Sequence, residues 1–380
     1  MKKILVTAIT FVCILLTDAA QSQVQVSGLA DVVFCNSGNV DITNITFRRY
    51  SNFHTSRTRL FFDGNVGENT DLFVQILIDE YNFQLYGAYA RFSNLSGQYL
   101  NMNVGYIPST IGSYAPRTYS DRNPLIGTPL LYNFHSALIP GVLGSTPDVS
   151  DILALRDNRS PSGIPFIYDA CWNTGVEFYG SSGKVDYSFG MLTGSVGKPT
   201  QQQFKDIPQF TTHLVYNFNP GFKIGMSAFL GPYLYDEAFP DFGTPGYTID
   251  PEDYMNGGIG YEFYWSGQYL EVYSETFYSY WEYPGLPKLK SMAGYIEGKY
   301  KIQPRWYAAA RLGFVEPSEI EVSPGVEEKW DYPVKRYEFG IGYKPLRKAT
   351  VKFVAQINKF DISDAYDSEI YAIQFSLPFN

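Results

Sequence analysis

The sequence predicts an all-β chain, closed as a transmembrane up-and-down antiparallel barrel of about 16 strands. Three observations carry that prediction. Segments roughly ten residues long, apolar at every second position, recur along the chain. The links between them alternate between tight and long. Aromatic residues make up 17% of the chain and charged residues only 18%, where a soluble domain carries about 25% charged residues. A wall in lipid accounts for both figures, because its outer face is apolar and its two interfacial girdles take Tyr, Trp and Phe.

The alternation is plainest in Val351, Phe353, Ala355 and Ile357, with Lys352 and Gln356 on the opposite face. Leu72, Val74, Ile76 and Ile78 repeat it, as do Phe222 to Leu230 and Ile259 to Trp265. Arg57, Arg59 and Asp63 oppose Leu60 and Phe62. Periodicity alone does not name the solvent, since a soluble sheet alternates too. The links do more. Short ones at Gly67-Glu68-Asn69, Asn94 to Gly97, Ser181 to Gly183, Asn219 to Gly221, Trp265 to Gly267, Ile302 to Pro304 and Lys344 to Arg347 carry turn residues. Long ones run Asn36 to Thr55, Pro108 to Asp169, Gly194 to Pro208, Gly231 to Met255 and Glu316 to Pro333, with Glu80 to Asn82 the exception. That alternation belongs to barrels with short periplasmic turns and longer outer loops.

Both termini fit export to an outer membrane. Lys2 and Lys3 precede an apolar run from Ile4 to Leu16, and Ala20-Gln21-Ser22 offers a cleavage site, so residues 1–22 read as a signal peptide and 23–380 as one barrel domain. The final alternating strand, Tyr371 to Leu377, closes at Phe379-Asn380 and resembles the signal read by the barrel-assembly machinery. Beyond that machinery, the expected partners are outer-membrane lipid and small hydrophilic solutes or ions.

The Pro108–Asp169 link is too long for a plain connection. It is expected to fold into the lumen as the constriction, with Arg117, Arg122, Arg156 and Arg159 facing Asp121, Asp148, Asp151 and Asp157. Alternation places Arg57, Arg59, Arg91, Arg311, Arg336 and Lys352 on the inner wall, against Glu177, Glu262, Glu271, Glu275, Glu297 and Glu338. These wall residues are expected to be solvated, and charged rings of this kind set ion preference.

Other chemistry finds no pattern. The formal charge of −9 argues against nucleic acid. His54, His135 and His213 have no metal-ligand spacing, no nucleophile elbow or glycine-rich phosphate loop is present, and no cofactor is indicated. The chain does not read as an enzyme. Cys35 and Cys171, the cysteines beyond the leader, fall on well-separated strands.

The run Arg57-Thr58-Arg59-Leu60-Phe61-Phe62-Asp63-Gly64, followed by Asp71 to Gln75 and by Asn103 to Pro108 leading into Ile111-Gly112, resembles the N-terminal part of the phosphate-selective porin O/P family. The resemblance covers under a third of the chain and implies a sixteen-stranded homotrimeric porin. Where the family carries a basic residue between its two glycines, this chain has Ile107, Pro108, Ser109, Thr110 and Ile111. The leading expectation is therefore a passive porin rather than a phosphate channel. The alternatives are a sugar- or anion-specific channel, with Tyr89, Tyr264 and Tyr295 as stacking platforms, and a closed structural or adhesive barrel. Mass spectrometry of the protein purified from outer membranes should place its N-terminus at Gln23; a chain starting at Met1 would overturn the leader.

Overall fold

The structure, a computed structural model, describes residues 24–36, 55–79, 83–139, 149–158, 163–168, 171–198, 206–234, 250–361 and 366–380. The leader, His54, the link 80–82, Asp148 and Arg159 lie outside them.

Sixteen strands form one closed barrel. In chain order the first eight are β1 (Val24–Cys35), β2 (Thr55–Gly67), β3 (Thr70–Asp79), β4 (Phe83–Phe92), β5 (Asn101–Pro108), β6 (Trp172–Ser182), β7 (Val185–Thr193) and β8 (Gln209–Asn219). The rest are β9 (Phe222–Pro232), β10 (Met255–Ser266), β11 (Leu270–Trp281), β12 (Leu289–Gln303), β13 (Trp306–Pro317), β14 (Val334–Tyr343), β15 (Thr350–Phe360) and β16 (Ser368–Phe379). Every strand pairs antiparallel with its neighbours in sequence, and β1 pairs with β16 to close the ring. The link after β13, read in the sequence as one long loop, contains a small hairpin, Glu319–Ser323 with Val326–Lys329. Short links take the turn chemistry they need: Gly183 sits at φ 61° between β6 and β7, where a side chain would be strained.

Burial identifies the solvent, which periodicity did not. Along β14 the buried residues are Val334, Arg336, Glu338, Gly340 and Gly342, while Tyr337, Phe339 and Ile341 are exposed. Along the middle of β16 Tyr371, Ile373, Phe375 and Leu377 are exposed, with Gln374 and Ser376 buried. Charges inside and aromatics outside is the reverse of a water-soluble sheet. Only an apolar surrounding makes it stable.

Closure depends on a close approach. The ladder between β1 and β16 runs from Gly28 opposite Phe379 to Cys35 opposite Ala372. A Cβ at position 28 would come within 2.2 Å of the Phe379 ring, so glycine lets the terminal aromatic lie flat on the first strand. Cys35 and Cys171 keep separate thiols rather than a disulfide.

The interior is not empty. An apolar cluster joins Ile111, Leu131, Phe134, Ile152 and Phe166 to the wall residues Phe277, Trp281, Val315 and Phe360. Trp281 meets Phe166 and Trp330 edge-on at 5.2 and 5.8 Å. The same cluster takes in Tyr89, Ile107, Trp172 and Leu192, so it also reaches the wall from β4 to β7. A second, smaller cluster seats Leu125 and Ile126 on Val354, Ile370 and Ala372.

Placing a charge on the outer face should be costly. Phe339, 52% exposed in the middle of β14, is expected to lose about 2–4 kcal/mol of stability as Phe339→Arg, by refolding equilibria in lipid vesicles. An effect near zero would mean that face sees water.

Candidate functional site

The segment 109–139 follows the inner wall, as its hydrogen bonds record. Thr110 shares a 2.6 Å hydroxyl contact with Thr211 of β8. The Gly112 amide donates to Ser227 on β9 at 3.0 Å. The Ser113 amide donates to Glu275 on β11 at 2.8 Å, and the same carboxylate accepts the hydroxyls of Ser113 and Tyr132. Arg117 then pairs with Glu297 of β12. From there the chain crosses the lumen. The Tyr119 hydroxyl donates to Gln75 on β3 at 2.8 Å, and Ser120 meets Ser376 on β16 at 2.7 Å. It returns beneath β13 to β15: Tyr307 donates to the Pro124 carbonyl at 3.1 Å, Lys352 to the Leu125 carbonyl at 3.1 Å, and Arg336 to the Thr128 carbonyl at 3.3 Å.

The wall charges explain why irregular backbone tolerates burial here. A buried loop carries carbonyls that its own backbone leaves unpaired. Guanidinium and ammonium groups are strong donors to such acceptors. They in turn need counter-charges. Arg311 donates to Glu297 at 2.9 Å and lies 3.4 Å from Glu338, with all three side chains fully buried. It also reaches Asn123 of the segment at 3.3 Å. Arg117, Glu297, Arg311 and Glu338 thus form one dry ionic chain linking segment to wall. Removing one member of such a buried pair costs about 3–5 kcal/mol, since the other is left uncompensated.

Two expectations change. Arg311, Arg336 and Lys352 do face inward, but they are buried rather than solvated, because the segment's carbonyls and amides cover them. Among the described residues, Arg117 finds its acid on the wall, at Glu297, rather than on an aspartate of the link. Arg156 and Asp157 stand apart, in the helix Val149–Asp157. There Arg156 bonds Asp157 at 2.9 Å, Glu328 at 3.2 Å and the Lys329 carbonyl at 2.7 Å, which docks the helix on the hairpin. That hydrogen bond from Arg156 holds the Asp157 carboxyl below its ordinary value. Asp151 lies on the same helix.

On the other side of the lumen Arg59, Asp31 and Glu262 are likewise buried rather than solvated, while Arg57 and Arg91 are half-buried. Arg57 and Arg59 converge on Asp31 at 3.9 and 3.6 Å. The Arg59 guanidinium lies between the rings of Tyr86 and Tyr119, at 5.8 and 5.4 Å. Arg91 stacks over Phe73 at 4.6 Å. Asp121 and Arg122 are exposed on the segment, Arg122 lying 5.6 Å from the Tyr119 ring. Further round, Glu262 accepts from Ser227 at 2.9 Å and sits 3.0 Å from the His213 ring nitrogen. The three tyrosines considered as platforms already have ring partners: Tyr89 on Phe73 at 4.9 Å, Tyr264 near Tyr273 at 4.7 Å, and Tyr295 edge-on to Tyr114 at 6.2 Å. Sequence reasoning put Glu275 and Glu297 on the inner face but missed their role as anchors. No local pattern ties them to residues more than 140 positions earlier.

Comparison with solved structures supports the architecture. The chain superposes on the outer-membrane channel DcaP of Acinetobacter baumannii with TM-score 0.58 and 11% identity, over 95% of this chain and 99% of that one. OmpF of Salmonella typhi, solved in complex with daunomycin, gives 0.57 and 10% over 94% and 97%. OmpT, an outer-membrane protein of Vibrio cholerae, in its outer-membrane-expressed form gives 0.54 and 10% over 95% and 99%. At these identities the likeness establishes the fold. No family model matches the chain, and no curated protein does either.

Glu275 is the anchor to test. Glu275→Ala strands the Ser113 amide and the Ser113 and Tyr132 hydroxyls, and should cost about 1–3 kcal/mol. Limited proteolysis is expected to open 109–139 first while the barrel stays intact. Unchanged cleavage would remove Glu275 as an anchor.

Proposed function

We propose that the chain is an outer-membrane porin, a channel rather than an enzyme, which admits small hydrophilic solutes by passive diffusion. One observation carries the reading: a closed sixteen-stranded barrel turns its charged side chains inward and uses them to hold a long segment across its own lumen. Sixteen strands enclose a water-filled channel unless something fills it. Segment 109–139 is what sets the exclusion limit in this proposal. The charged groups that would line the remaining passage are those that keep exposure: Arg57 and Arg91, half-buried, and Asp63, Asp121 and Arg122, exposed. Charge lining a narrow aqueous path sets ion preference.

The export route, the outer-membrane location and contact with the barrel-assembly machinery belong to the same proposal. A homotrimer does too, supported by the trimer form in which OmpT of Vibrio cholerae was solved. A second reading, the closed barrel, draws on the burial of Arg311, Arg336 and Lys352 and on the apolar cluster packed against the inner wall.

Planar-bilayer recording separates the two. Steady single-channel openings are expected, with a reversal potential that moves toward cation preference in Arg122→Glu combined with Arg91→Glu. A folded barrel that never conducts would leave the closed reading standing.

A further inference from the structure

The outer wall carries an apolar groove of about 1050 Å³, which runs obliquely from Leu270 on β11 to Phe34 on β1. A barrel exterior is convex, so a concavity there has a local cause. Gly298, Ala308 and Ala310 form the floor, and Tyr300, Phe339 and Phe353 rise beside it. Paired residues define its course. Tyr300 lies opposite Ala308, Ala308 opposite Ile341, and Ile341 opposite Phe353, so the groove follows the hydrogen-bonding direction from strand to strand. At about 4.8 Å per strand this valley extends well beyond the roughly 15 Å that one leaflet's acyl chains span.

The lower end of the groove meets a concentration of positive charge. Five cations lie in the short turns of the barrel, and four of them, Arg305, Lys344, Arg347 and Lys348, occupy the two turns after β12 and β14. The one acid in those turns, Glu68, follows β2 on another part of the rim. The clustering is not compositional, since the whole chain is at −9. The Lys344 amide bonds the Arg305 carbonyl at 2.9 Å, which holds the two turns together. None of the four cations has an ion-pair partner among the described residues; Lys348 donates to the neutral side-chain amide of Asn380. Just above them Trp306 stacks on Tyr343 at 4.4 Å, in the position of an interfacial girdle, and Leu346 is 67% exposed beside them. Two residues further up the same strands lie Ala308 and Ile341 of the groove.

We propose that this surface is a binding site for one anionic glycerophospholipid of the short-turn leaflet, its acyl chain in the groove and its phosphate on Arg305, Lys344, Arg347 and Lys348. The inference rests on the reading that the chain sits in an outer membrane with its short turns toward the periplasm. Apolar groove and basic rim are separate features that meet at one interfacial position, and an anionic lipid matches both. A second copy of the chain would bury the groove but bring the same uncompensated cations with it.

Native mass spectrometry of the detergent-solubilised barrel, offered equal phosphatidylglycerol and phosphatidylcholine, tests this. Wild type should retain phosphatidylglycerol in preference, by about tenfold. The quadruple variant Arg305→Gln, Lys344→Gln, Arg347→Gln, Lys348→Gln should lose the preference, and Ala308→Phe, which fills the groove, should retain less of either lipid. Each variant is first checked for the heat-dependent gel shift of a folded barrel. Equal retention of both lipids by wild type, or a preference that survives the quadruple variant, overturns the proposal. So does an oligomer that excludes both lipids until Ala308→Phe breaks it apart. Conductance is recorded on the same samples: a silent barrel that still selects phosphatidylglycerol sinks the channel and spares the lipid site, and the reverse pattern does the opposite.

Discussion

The ladder between β1 and β16 is the constraint on which everything else hangs. In hydrocarbon an unpaired strand edge leaves a row of amides and carbonyls with no water to satisfy them, each costing several kcal/mol. Closure removes both edges at once. It holds because Gly28 leaves room for the Phe379 ring and because the two strands keep register from Gly28 to Cys35. Once the ring is shut, side chains have only two directions, and the sequence assigns aromatic and aliphatic groups to one and charges to the other.

The inward charges then serve as fasteners. Surface ion pairs contribute little because water competes for both partners. Inside the barrel the segment 109–139 displaces that water, and Arg311 between Glu297 and Glu338 becomes a rigid post from which Arg117 and Asn123 hang. The arrangement fixes an irregular stretch of chain without a sheet or long helix of its own. Trp281, Trp330 and Phe166 pack together at the loop end, while Arg57, Arg91 and Arg122 keep some exposure.

The barrel was legible in the sequence because its rule is local. Val351 to Ile357 alternates within seven residues, and a turn such as Ser181-Ser182-Gly183 declares itself by composition. Strand order follows once links alternate between short and long. The segment's path was not legible in the same way. Its bonds join residues such as Ser120 and Lys352, whose proximity exists only after the sheet closes. Burial of Lys352 was invisible for the same reason: the pattern gives the face a side chain points to, not what covers that face. The hairpin Glu319–Lys329 was read as plain loop because its strands are short and its alternating side chains mostly charged.

The fasteners also impose an order of events. Tyr119 and Ser120 are made early in the chain, yet they are held by Gln75 on one side and by Ser376 on the other. Lys352, which grips the same stretch, belongs to the last strand but one. The segment therefore has no complete set of partners until the C-terminal strands have joined the N-terminal ones. Loop closure over so many residues is slow, and contacts of such long sequence separation form late. Before that moment the growing cylinder is wide and wet; after it, the lumen narrows in a single concluding step.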